Sequence, residues 1–373
     1  MRDLTHIKHI IIKIGSTSLC DNNGHLDKER ILKIIQQIAY LKRKGLKVTL
    51  VSSGAISSGM GVLDLDTKPK EISKKQALAA IGQAHLMQIY EDLFSLYHLK
   101  CAQILLNHDD FDNRKRLMNL TNALSAILDY DVIPIINEND TLAVDEIKVG
   151  DNDTLSALLL PIVDAQLLVL VSDINGLYDD NPHTNKNANL ISNIALVDDN
   201  IMKFAKDSNS SFGTGGMITK LKAAKIVNEF GGDMAIVNGN SDNSLIDLIE
   251  GKEIGTYFSG KAGRTLSARK HWIMYRSMPK GKLIIDDGAK EAILTHNSLL
   301  PKGIKDVECS FMQGAVVDVV SLQGDLLARG ITYYSSDELK LIKDHHSDDI
   351  ESILHYKDYD EVIHANNLVI NEG

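Results

Sequence analysis

The sequence predicts two unequal domains: a large α/β domain with an open, mostly parallel sheet sandwiched by helices, and a small, mainly β domain at the C-terminus. Three observations predict this. Short β-branched runs alternate with helical patterns over roughly the first 260 residues. Glycine-containing polar turns follow several of these runs, and the composition changes near Gly260. Strand, loop and helix repeated in this order are typical of parallel α/β sheets.

The first part of the large domain shows this alternation clearly. "HIIIKIG" predicts a buried strand that ends at a glycine, and "LKVTLVSSG" predicts a second strand of the same kind. Between them, isoleucine and leucine recur at helical spacing in "DKERILKIIQQIAYLKRKG", with Gly45 as the stop. After Pro69, "KQALAAIGQAHLMQIYEDLFSLY" predicts a long helix.

The same order continues along the chain. "CAQILLN", "DVIPIINEND", "AQLLVLVSDING" and "DMAIVNGN" predict further strands, and "RLMNLTNALSAILD" predicts a helix. In open parallel sheets, ligands bind at the carboxyl ends of the strands. The unusual polar loops of this sequence follow the predicted strands, so we expect the functional site at that edge of the sheet.

The domain boundaries follow from the change in composition. We expect residues 1–260 to form the large domain, residues 261–279 a linker, and residues 280–373 the small domain. The linker is basic and irregular and contains the only tryptophan. Beyond it, "KLIIDDGAKEAIL" and "GAVVDVVSLQGDLLARGITYYSSDEL" predict small strands with tight turns and a few helical turns.

The bulk composition excludes several classes of protein. Hydrophobic residues make up 44% of the 373 residues and charged residues 24%, which is enough for a substantial core. The formal net charge of −10 argues against non-specific binding to nucleic-acid phosphates. The three cysteines are scattered, no signal peptide is evident, and no apolar run approaches the ~20 residues of a membrane helix. We therefore expect a reducing, cytoplasmic setting.

A strongly polar run, "INENDTLAVDEIKVGDNDTLSALLL", directly follows the apolar stretch from Val132 to Ile135. Its carboxylates repel one another, and its asparagines compete with regular backbone hydrogen bonding. Such a run is either a solvated surface loop or a site for a cationic ligand, or for a ligand with many donors and acceptors.

Three loops carry the residue types that hold phosphate groups: "KIGST", "SSGAISSG" and "GTGGMITKLKAAK". Glycine lets backbone N–H groups approach an anion, and lysine or a helix N-terminus adds positive charge. Each loop alone is most often only a turn. Because GxxxxGK[ST] is absent and no loop fits GxGxxG after a strand, the three together predict a phosphotransfer site that is not of the Walker type.

Phosphoryl transfer requires positive charge around the moving phosphoryl group. Lys13 and Lys220 are the candidates for this charge, and Asp153 in "GDND" is the candidate carboxylate that holds both lysines. The alternative for each lysine is an ordinary surface cation. Asp153 could equally be the N-cap of a helix over "TLSALLL", a role that is compatible with holding the lysines. No histidine is assigned to catalysis.

"KIGST", "VSSGAISSG", "INEND", "KVGDND", "SDINGLY" and "GTGGMITK", in this order, closely resemble the motifs of the glutamate 5-kinases, a branch of the amino acid kinase family. The resemblance covers nearly the whole chain, because the segment with "LLPKGI" resembles the PUA domain of bacterial members. "INEND" with "KVGDND" is specific to that branch, whereas the lysine and glycine loops are shared with acetylglutamate kinase and aspartokinase.

The resemblance implies that ATP phosphorylates the γ-carboxylate of L-glutamate to give L-glutamyl 5-phosphate, the first step of proline biosynthesis. It assigns Lys13, Lys220 and Asp153 to catalysis, and Mg²⁺ to the ATP phosphates without a protein ligand. The residues implied for glutamate binding are Ser53, Asp140, Asn152 and Asn137. Those implied for ATP binding are Lys13, Ser172, Asp173, Thr214, Gly215, Gly216, Met217, Ile218, Thr219 and Lys220.

Within this implied site, the charge of each group suggests its role. Asp140 suits the α-ammonium of the substrate, whereas Ser53 and Asn152 can donate to its carboxylates. Ser172 stands where the resembling proteins often carry threonine, so the hydroxyl is kept. Asp145 and Glu146 are expected to be solvated or to stabilise the loop.

The resemblance also implies partners and regulation. We expect inhibition by proline, a separate glutamyl-phosphate reductase as functional partner, and a homo-oligomer, dimer or tetramer. The segment from Ser57 to Lys75 is polar and contains glycine and proline, so it is a candidate mobile loop over the substrate site.

Two alternative functions stay open at the sequence level. PUA domains elsewhere bind RNA, so an RNA-binding or RNA-regulated protein is one alternative. Nine Lys and Arg against seventeen Asp and Glu between Met278 and Gly373 argue against a general phosphate-binding face. The basic linker is the remaining candidate surface for RNA, and its charges are more typical of a solvated connection between domains. The other alternative is a sister kinase that acts on another small carboxylate or on carbamate.

Overall fold

The computed structural model describes residues 1–21, 24–107, 109–112, 114–142, 152–180, 182, 185, 187–195, 197–198, 201–202, 216–260, 273 and 279–371. The chain divides into two compact units. One consists of Met1–Asp109 with Thr121–Ala268, and the other of Asp110–Leu120 with Arg269–Gly373. The predicted linker, 261–279, lies almost entirely outside the described residues, so the predicted domain boundaries stay a prediction.

The described part of the first unit is built on an eight-stranded sheet with the order β3-β4-β2-β1-β5-β7-β8-β6. Neighbouring strands are parallel except β7 and β8, which confirms the predicted open, mostly parallel sheet. The strands are β1 His9–Ile14, β2 Lys47–Ser52, β3 Cys101–Leu106, β4 Ile133–Glu138, β5 Leu167–Ser172, β6 Asn193–Ile194, β7 Asp233–Asn238 and β8 Thr256–Phe258.

Helices connect these strands, as the alternating pattern predicts. They are α1 Ser16–Leu19, α2 Lys28–Arg43, α3 Ala55–Val62, α4 Ile72–Ser95, α5 Asp109–Asp112, α6 Arg114–Asp129, α7 Asn152–Ile162, α8 Met217–Glu229 and α9 Ser244–Ile249. The expectation of one mobile loop from Ser57 to Lys75 is wrong at both ends of the segment, because α3 runs to Val62 and α4 starts at Ile72. The mobility of residues 63–71, between the two helices, stays a prediction.

Sequence patterns account for where these elements lie and end. The central strands β1 and β5 are buried along their whole length, as expected of continuous apolar runs inside a parallel sheet. Asp27 caps α2 by accepting hydrogen bonds from the N–H groups of Glu29 and Arg30. Gly45 ends the turn after α2 with a φ of 83°, a left-handed conformation that favours glycine.

Helices α3 and α4 approach each other unusually closely through two glycines. A Cβ atom on Gly82 of α4 would lie 1.8 Å from the carbonyl oxygen of Ala55, and one on Gly59 of α3 would lie 2.1 Å from that of Leu78. No side chain fits at either position without moving backbone. The contact therefore fixes α4 against the start of α3, immediately beyond the carboxyl end of β2.

The buried His9 in β1 is held by hydrogen bonds on both ring nitrogens. Nδ1 lies 2.9 Å from the carbonyl oxygen of Val163, so it donates, and Nε2 lies 2.9 Å from Oγ1 of Thr49. Burial lowers the pKa of His9 to about 4. His9 is therefore neutral at neutral pH, and charging it opposes the folded state.

We expect the free energy of unfolding to fall by about 1 kcal/mol from His9 alone between about pH 7.5 and about pH 5.5. The unfolded histidine, with a pKa near 6.5, takes up a proton in this window and the folded one does not. Urea titrations at the two pH values measure the change. His9→Gln is expected to reduce the pH dependence. An unchanged dependence in His9→Gln would contradict this assignment.

The second unit contains a five-stranded sheet with the order β10-β9-β11-β12-β13, which confirms the predicted mainly β domain. β9 and β11 are parallel and the other pairs are antiparallel. The strands are β9 Lys282–Ile285, β10 Ile304–Glu308, β11 Val316–Val320, β12 Leu326–Ile331 and β13 Leu368–Ile370, and the helices are α10 Asp287–Leu294, α11 Ser336–Ile342 and α12 Ile350–Leu354. In the described part of the chain, no helix has the length and apolar character needed to cross a bilayer.

Candidate active site

The predicted site residues meet at the carboxyl edge of the central strands. β4, β2, β1 and β5 are neighbours in the sheet and run parallel. Lys13 on β1 pairs with Val51 on β2 and with Leu170 on β5, so the ends of these strands lie at one level. Side chains at and just beyond those ends therefore converge.

Two lysines and one carboxylate form a buried cluster at this edge. Nζ of Lys13 lies 2.5 Å from Oδ1 of Asp153, and Nζ of Lys220 lies 3.1 Å from Oδ2. Lys13 and Lys220 are each 6% exposed and Asp153 is 0% exposed. The surface-cation interpretation of both lysines is therefore wrong, because each ammonium lies in the interior against one carboxylate.

Asp153 lies within the first turn of α7, which begins at Asn152, and not at the N-cap. Oγ1 of Thr219, at the start of α8, also donates to Oδ2 of Asp153 at 2.9 Å. Helices α7 and α8 pack against each other, which brings the two chain segments together. The carboxylate thus joins β1, α7 and α8 at one point.

The cluster has one positive charge in excess. Burial by itself would raise the pKa of Asp153, but the charges of Lys13 and Lys220 outweigh burial and hold the pKa below its ordinary value. Asp153 is therefore ionised at neutral pH, and it balances only one of two ammonium groups. A buried cluster with surplus positive charge is suited to an anionic ligand.

A group of side-chain amides and hydroxyls lies beside this cluster. Nδ2 of Asn152 donates to Oγ of Ser53 at 2.9 Å and to Oδ1 of Asn137 at 3.1 Å. The structure therefore brings together three of the four predicted glutamate-binding residues. Asp140 is half-buried and lies two residues beyond the end of β4, on the loop that leaves the same edge of the sheet.

The predicted nucleotide-binding residues lie at the ends of β5 and α8. Oγ of the buried Ser172 donates to Oδ1 of the exposed Asp173 at 3.1 Å. Gly216 is the N-cap of α8 and has no side chain to cap the helix, and a Cβ atom built on it would meet none of the described residues within 4 Å. The N–H groups of the first turn of α8, a 13-residue helix, are therefore suited to bind phosphate.

Part of the predicted site lies outside the described residues. Thr214 and Gly215 of the glycine loop belong to this part, as do Asp145, Glu146 and Asp151 of the polar run. Met217, Ile218 and Thr219 form the first turn of α8, as the loop-then-helix pattern predicts. Among the described residues, no group of three or more His, Cys, Asp or Glu side chains is placed to hold a metal ion.

Sequence reasoning missed Gln83 of α4. Its Oε1 accepts a hydrogen bond of 3.0 Å from Nδ2 of Asn137, and the contact is buried. In the sequence, Gln83 lies within a long helical pattern, where a lone glutamine is typical of an exposed face. The close contact between α3 and α4 turns this position inward, and only the neighbouring glycine Gly82 hints at that contact.

This arrangement is that of an α/β phosphotransferase site. Its two lysines can neutralise the charge of a phosphoryl group, and its side-chain amides can bind a small polar substrate. Family models agree. The model described as "Amino acid kinase family" matches residues 8–238, and that described as "PUA domain" matches residues 281–354.

Curated relatives match nearly the whole chain. It is 47% identical over 364 residues to the glutamate 5-kinase of Caldanaerobacter subterraneus subsp. tengcongensis, covering 97% of this chain and 98% of that protein. It is 46% identical over 370 residues to the glutamate 5-kinase of Geobacter sulfurreducens, covering 98% of each. The carbamate kinase from Giardia lamblia bound to AMP-PNP superposes with a TM-score of 0.50 at 14% identity, covering 69% of this chain and 100% of that one, which shows the shared fold alone.

The chain therefore belongs to the amino acid kinase family and, within it, to the glutamate 5-kinases, with a C-terminal PUA domain.

Proposed function

We propose that this chain transfers the γ-phosphoryl group of ATP to the γ-carboxylate of L-glutamate, giving L-glutamyl 5-phosphate and ADP in the first step of proline biosynthesis. The observation that carries the proposal is the buried cluster of Lys13, Asp153 and Lys220 beside the amide group of Ser53, Asn137 and Asn152. Membership of the glutamate 5-kinases supports the substrate and the pathway.

The reaction needs charge stabilisation and positioning more than acid–base catalysis. The γ-carboxylate of glutamate is ionised at pH 7, so no base has to remove a proton before it attacks. One carboxylate oxygen forms a bond to the γ-phosphorus while the bond to the β–γ bridging oxygen breaks, and ADP carries that electron pair away. Lys13 and Lys220 stabilise the charge on the transferring phosphoryl oxygens, and Asp153 holds both ammonium groups in place.

The positively charged ammonium group and the negatively charged carboxylates of glutamate are assigned to different side chains. Asp140 is assigned to the α-ammonium of glutamate, and Ser53 to a substrate carboxylate through its hydroxyl. Asn137 is buried, and its Nδ2 donates to Gln83, so it acts through Asn152 more than on the substrate directly. Nδ2 of Asn152 donates to protein acceptors, which argues against its earlier assignment as a donor to the substrate carboxylates.

The nucleotide is assigned to the ends of β5 and α8. Ser172 and Asp173 lie beyond β5, and residues 214–220 lead into and form the first turn of α8. The N–H groups of this turn and the surplus charge of the lysine cluster both favour the ATP phosphates.

Mg²⁺ is assigned to the phosphate oxygens of ATP and to water. The donor set of the site supports this, because the carboxylate at its centre, Asp153, already engages two ammonium groups and the hydroxyl of Thr219. When bound, Mg²⁺ supplies further neutralisation of phosphate charge.

Further proposals concern regulation, partners and domain boundaries. We assign proline as a feedback inhibitor and a glutamyl-phosphate reductase as the enzyme that consumes the product, because acyl phosphates hydrolyse in water. We also assign the chain to a homo-oligomer, either a dimer or a tetramer, and to a cytoplasmic location. The kinase domain is assigned to residues 1–260, the linker to 261–279 and the PUA-like domain to 280–373.

The test is turnover of purified protein with ATP and Mg²⁺ on four acids: L-glutamate, N-acetylglutamate, aspartate and carbamate. Hydroxylamine traps an acyl phosphate as a hydroxamate, and ADP release is measured in parallel. We expect hydroxamate from glutamate only, and less of it when proline is added. Turnover of another acid without glutamate turnover would contradict the glutamate-site assignments and favour a sister kinase.

A further inference from the structure

Helix α4 carries two buried polar side chains that face the ends of β4 and β2. Gln83 accepts a hydrogen bond from Asn137 on β4, and the hydroxyl of Tyr90 lies 2.8 Å from Oγ of Ser52 on β2. Positions seven apart lie on the same face of a helix. Polar side chains on the buried face of a helix are expected to have a specific partner and a specific role.

The contact of Gln83 continues toward the substrate site as a chain of amides. Nδ2 of Asn137 donates to Gln83 at 3.0 Å, and Oδ1 of Asn137 accepts from Nδ2 of Asn152 at 3.1 Å. The next side chain along α7 is Asp153, which holds the two lysines. Three side-chain amides thus connect α4 with the first turn of α7.

Two backbone groups determine the orientation of these amides, that is, which side of each amide carries the oxygen and which the nitrogen. The N–H of Glu138 donates to Oδ1 of Asn137 at 2.9 Å, so that atom is an acceptor and Nδ2 must face Gln83. The carbonyl oxygen of Ser52 lies 3.4 Å from Nδ2 of Asn152, which therefore also stands as a donor. Backbone groups cannot exchange these roles, so each amide has one orientation.

This orientation determines what Asn152 offers to a ligand. Its Nδ2 faces Ser53, Asn137 and the Ser52 carbonyl, and the structure gives its Oδ1 no donor among the residues described. Asn152 is half-buried, at the start of α7. An amide oxygen accepts a hydrogen bond from an ammonium group and repels a carboxylate oxygen.

We propose that Gln83 is a positioning residue for the substrate: acting through Asn137, it holds Asn152 with its amide oxygen available to the α-ammonium of glutamate. The inference rests on the proposed function. Without the acceptor on Gln83, Nδ2 of Asn137 loses its buried partner, and the Asn137 side chain is held only through Oδ1. The Asn137 side chain then shifts, Asn152 loses a fixed acceptor for its Nδ2, and its amide oxygen is no longer held at the ammonium site, so recognition of the amino group weakens.

The test compares L-glutamate with glutarate, which has the same two carboxylates and no ammonium group. In Gln83→Met, which keeps the length of the side chain and removes the acceptor, we expect KM for glutamate to rise about tenfold, a change equivalent to about one hydrogen bond. KM for ATP is expected to stay within about twofold, and turnover of glutarate to change little, so the preference for glutamate over glutarate falls.

Two matched variants make the result decisive. Gln88→Met replaces an exposed glutamine on the same helix, which donates a hydrogen bond to Asp92, and is expected to behave as the wild type. Gln83→Glu keeps an oxygen acceptor for Asn137 and is expected to retain the preference for glutamate within about twofold.

Each outcome decides one question. Equal losses on glutamate and glutarate in Gln83→Met, or a lost preference in folded Gln83→Glu, would overturn the role of Gln83. Thermal melting shows whether Gln83→Met folds. If it does not, the preference of Gln83→Glu for glutamate over glutarate still tests the role of Gln83. A wild type that phosphorylates neither acid would instead contradict the proposed function itself, so the two failures are distinguishable.

Discussion

Lys220→Met is expected to lower kcat about a thousandfold with KM for glutamate within about threefold. Methionine keeps the unbranched stem that packs at this buried position, and it removes the ammonium group. The charge on the transferring phosphoryl group develops in the transition state, so losing a cation that stabilises it affects kcat more than ground-state binding. Steady-state assays of hydroxamate formation at saturating ATP measure both constants.

The fold is expected to survive this substitution. Asp153 keeps its ion pair with Lys13, so the buried cluster becomes a balanced pair without surplus charge. Lys222→Met, at an exposed position two residues further along α8, is the matched control and is expected to retain wild-type kcat. A kcat within about tenfold of the wild type in folded Lys220→Met would contradict the assignment of Lys220 to phosphoryl-charge stabilisation.

The strands and helices of the large unit could be predicted because their residues follow simple rules. β1 and β5 are uninterrupted apolar runs, as strands buried on both faces must be, and α2 places its isoleucines on one face. The edge strand β3 is partly exposed and was still predictable from its residue types. These signals are local, so a single sequence contains them.

The centre of the site could be predicted for a different reason. Lys13 and Asp153 lie far apart in the sequence, and nothing local requires them to meet. They were found because parallel strands bring the residues at their carboxyl ends to one edge, and because the motifs resemble those of a known family. The burial of both lysines against one carboxylate could not be read from the sequence, because it depends on the packing of α7 against α8.

The residues beneath the site could not be predicted. Gln83 and Tyr90 lie on a helix whose polar and apolar residues give only a weak facing pattern. Their inward orientation follows from the contact between α3 and α4, and that contact depends on two glycines in different helices. A close contact between two residues far apart in the sequence leaves no periodic pattern in that sequence. Residues that support the site from behind are therefore harder to predict than the residues that form it.

Gly82→Ala is expected to destabilise the protein by about 3 kcal/mol or more, or to prevent folding. The new Cβ would stand 1.8 Å from the carbonyl oxygen of Ala55 and 2.3 Å from the backbone nitrogen of Gly59. Neither atom belongs to a flexible side chain, so α3 and α4 must separate. Thermal melting and urea unfolding of the variant measure the loss.

Gly61→Ala is the matched control on α3. Among the described residues, a Cβ there meets only Cγ of His25, at 4.0 Å. Alanine also favours a helix more than glycine, so stability is expected to stay equal or rise by up to about 1 kcal/mol. Opposite signs for the same chemical change would show that steric contact, and not helix propensity, decides the result at Gly82. A stable, fully active Gly82→Ala would contradict the close contact between α3 and α4, and with it the rigid support that this contact gives to Gln83.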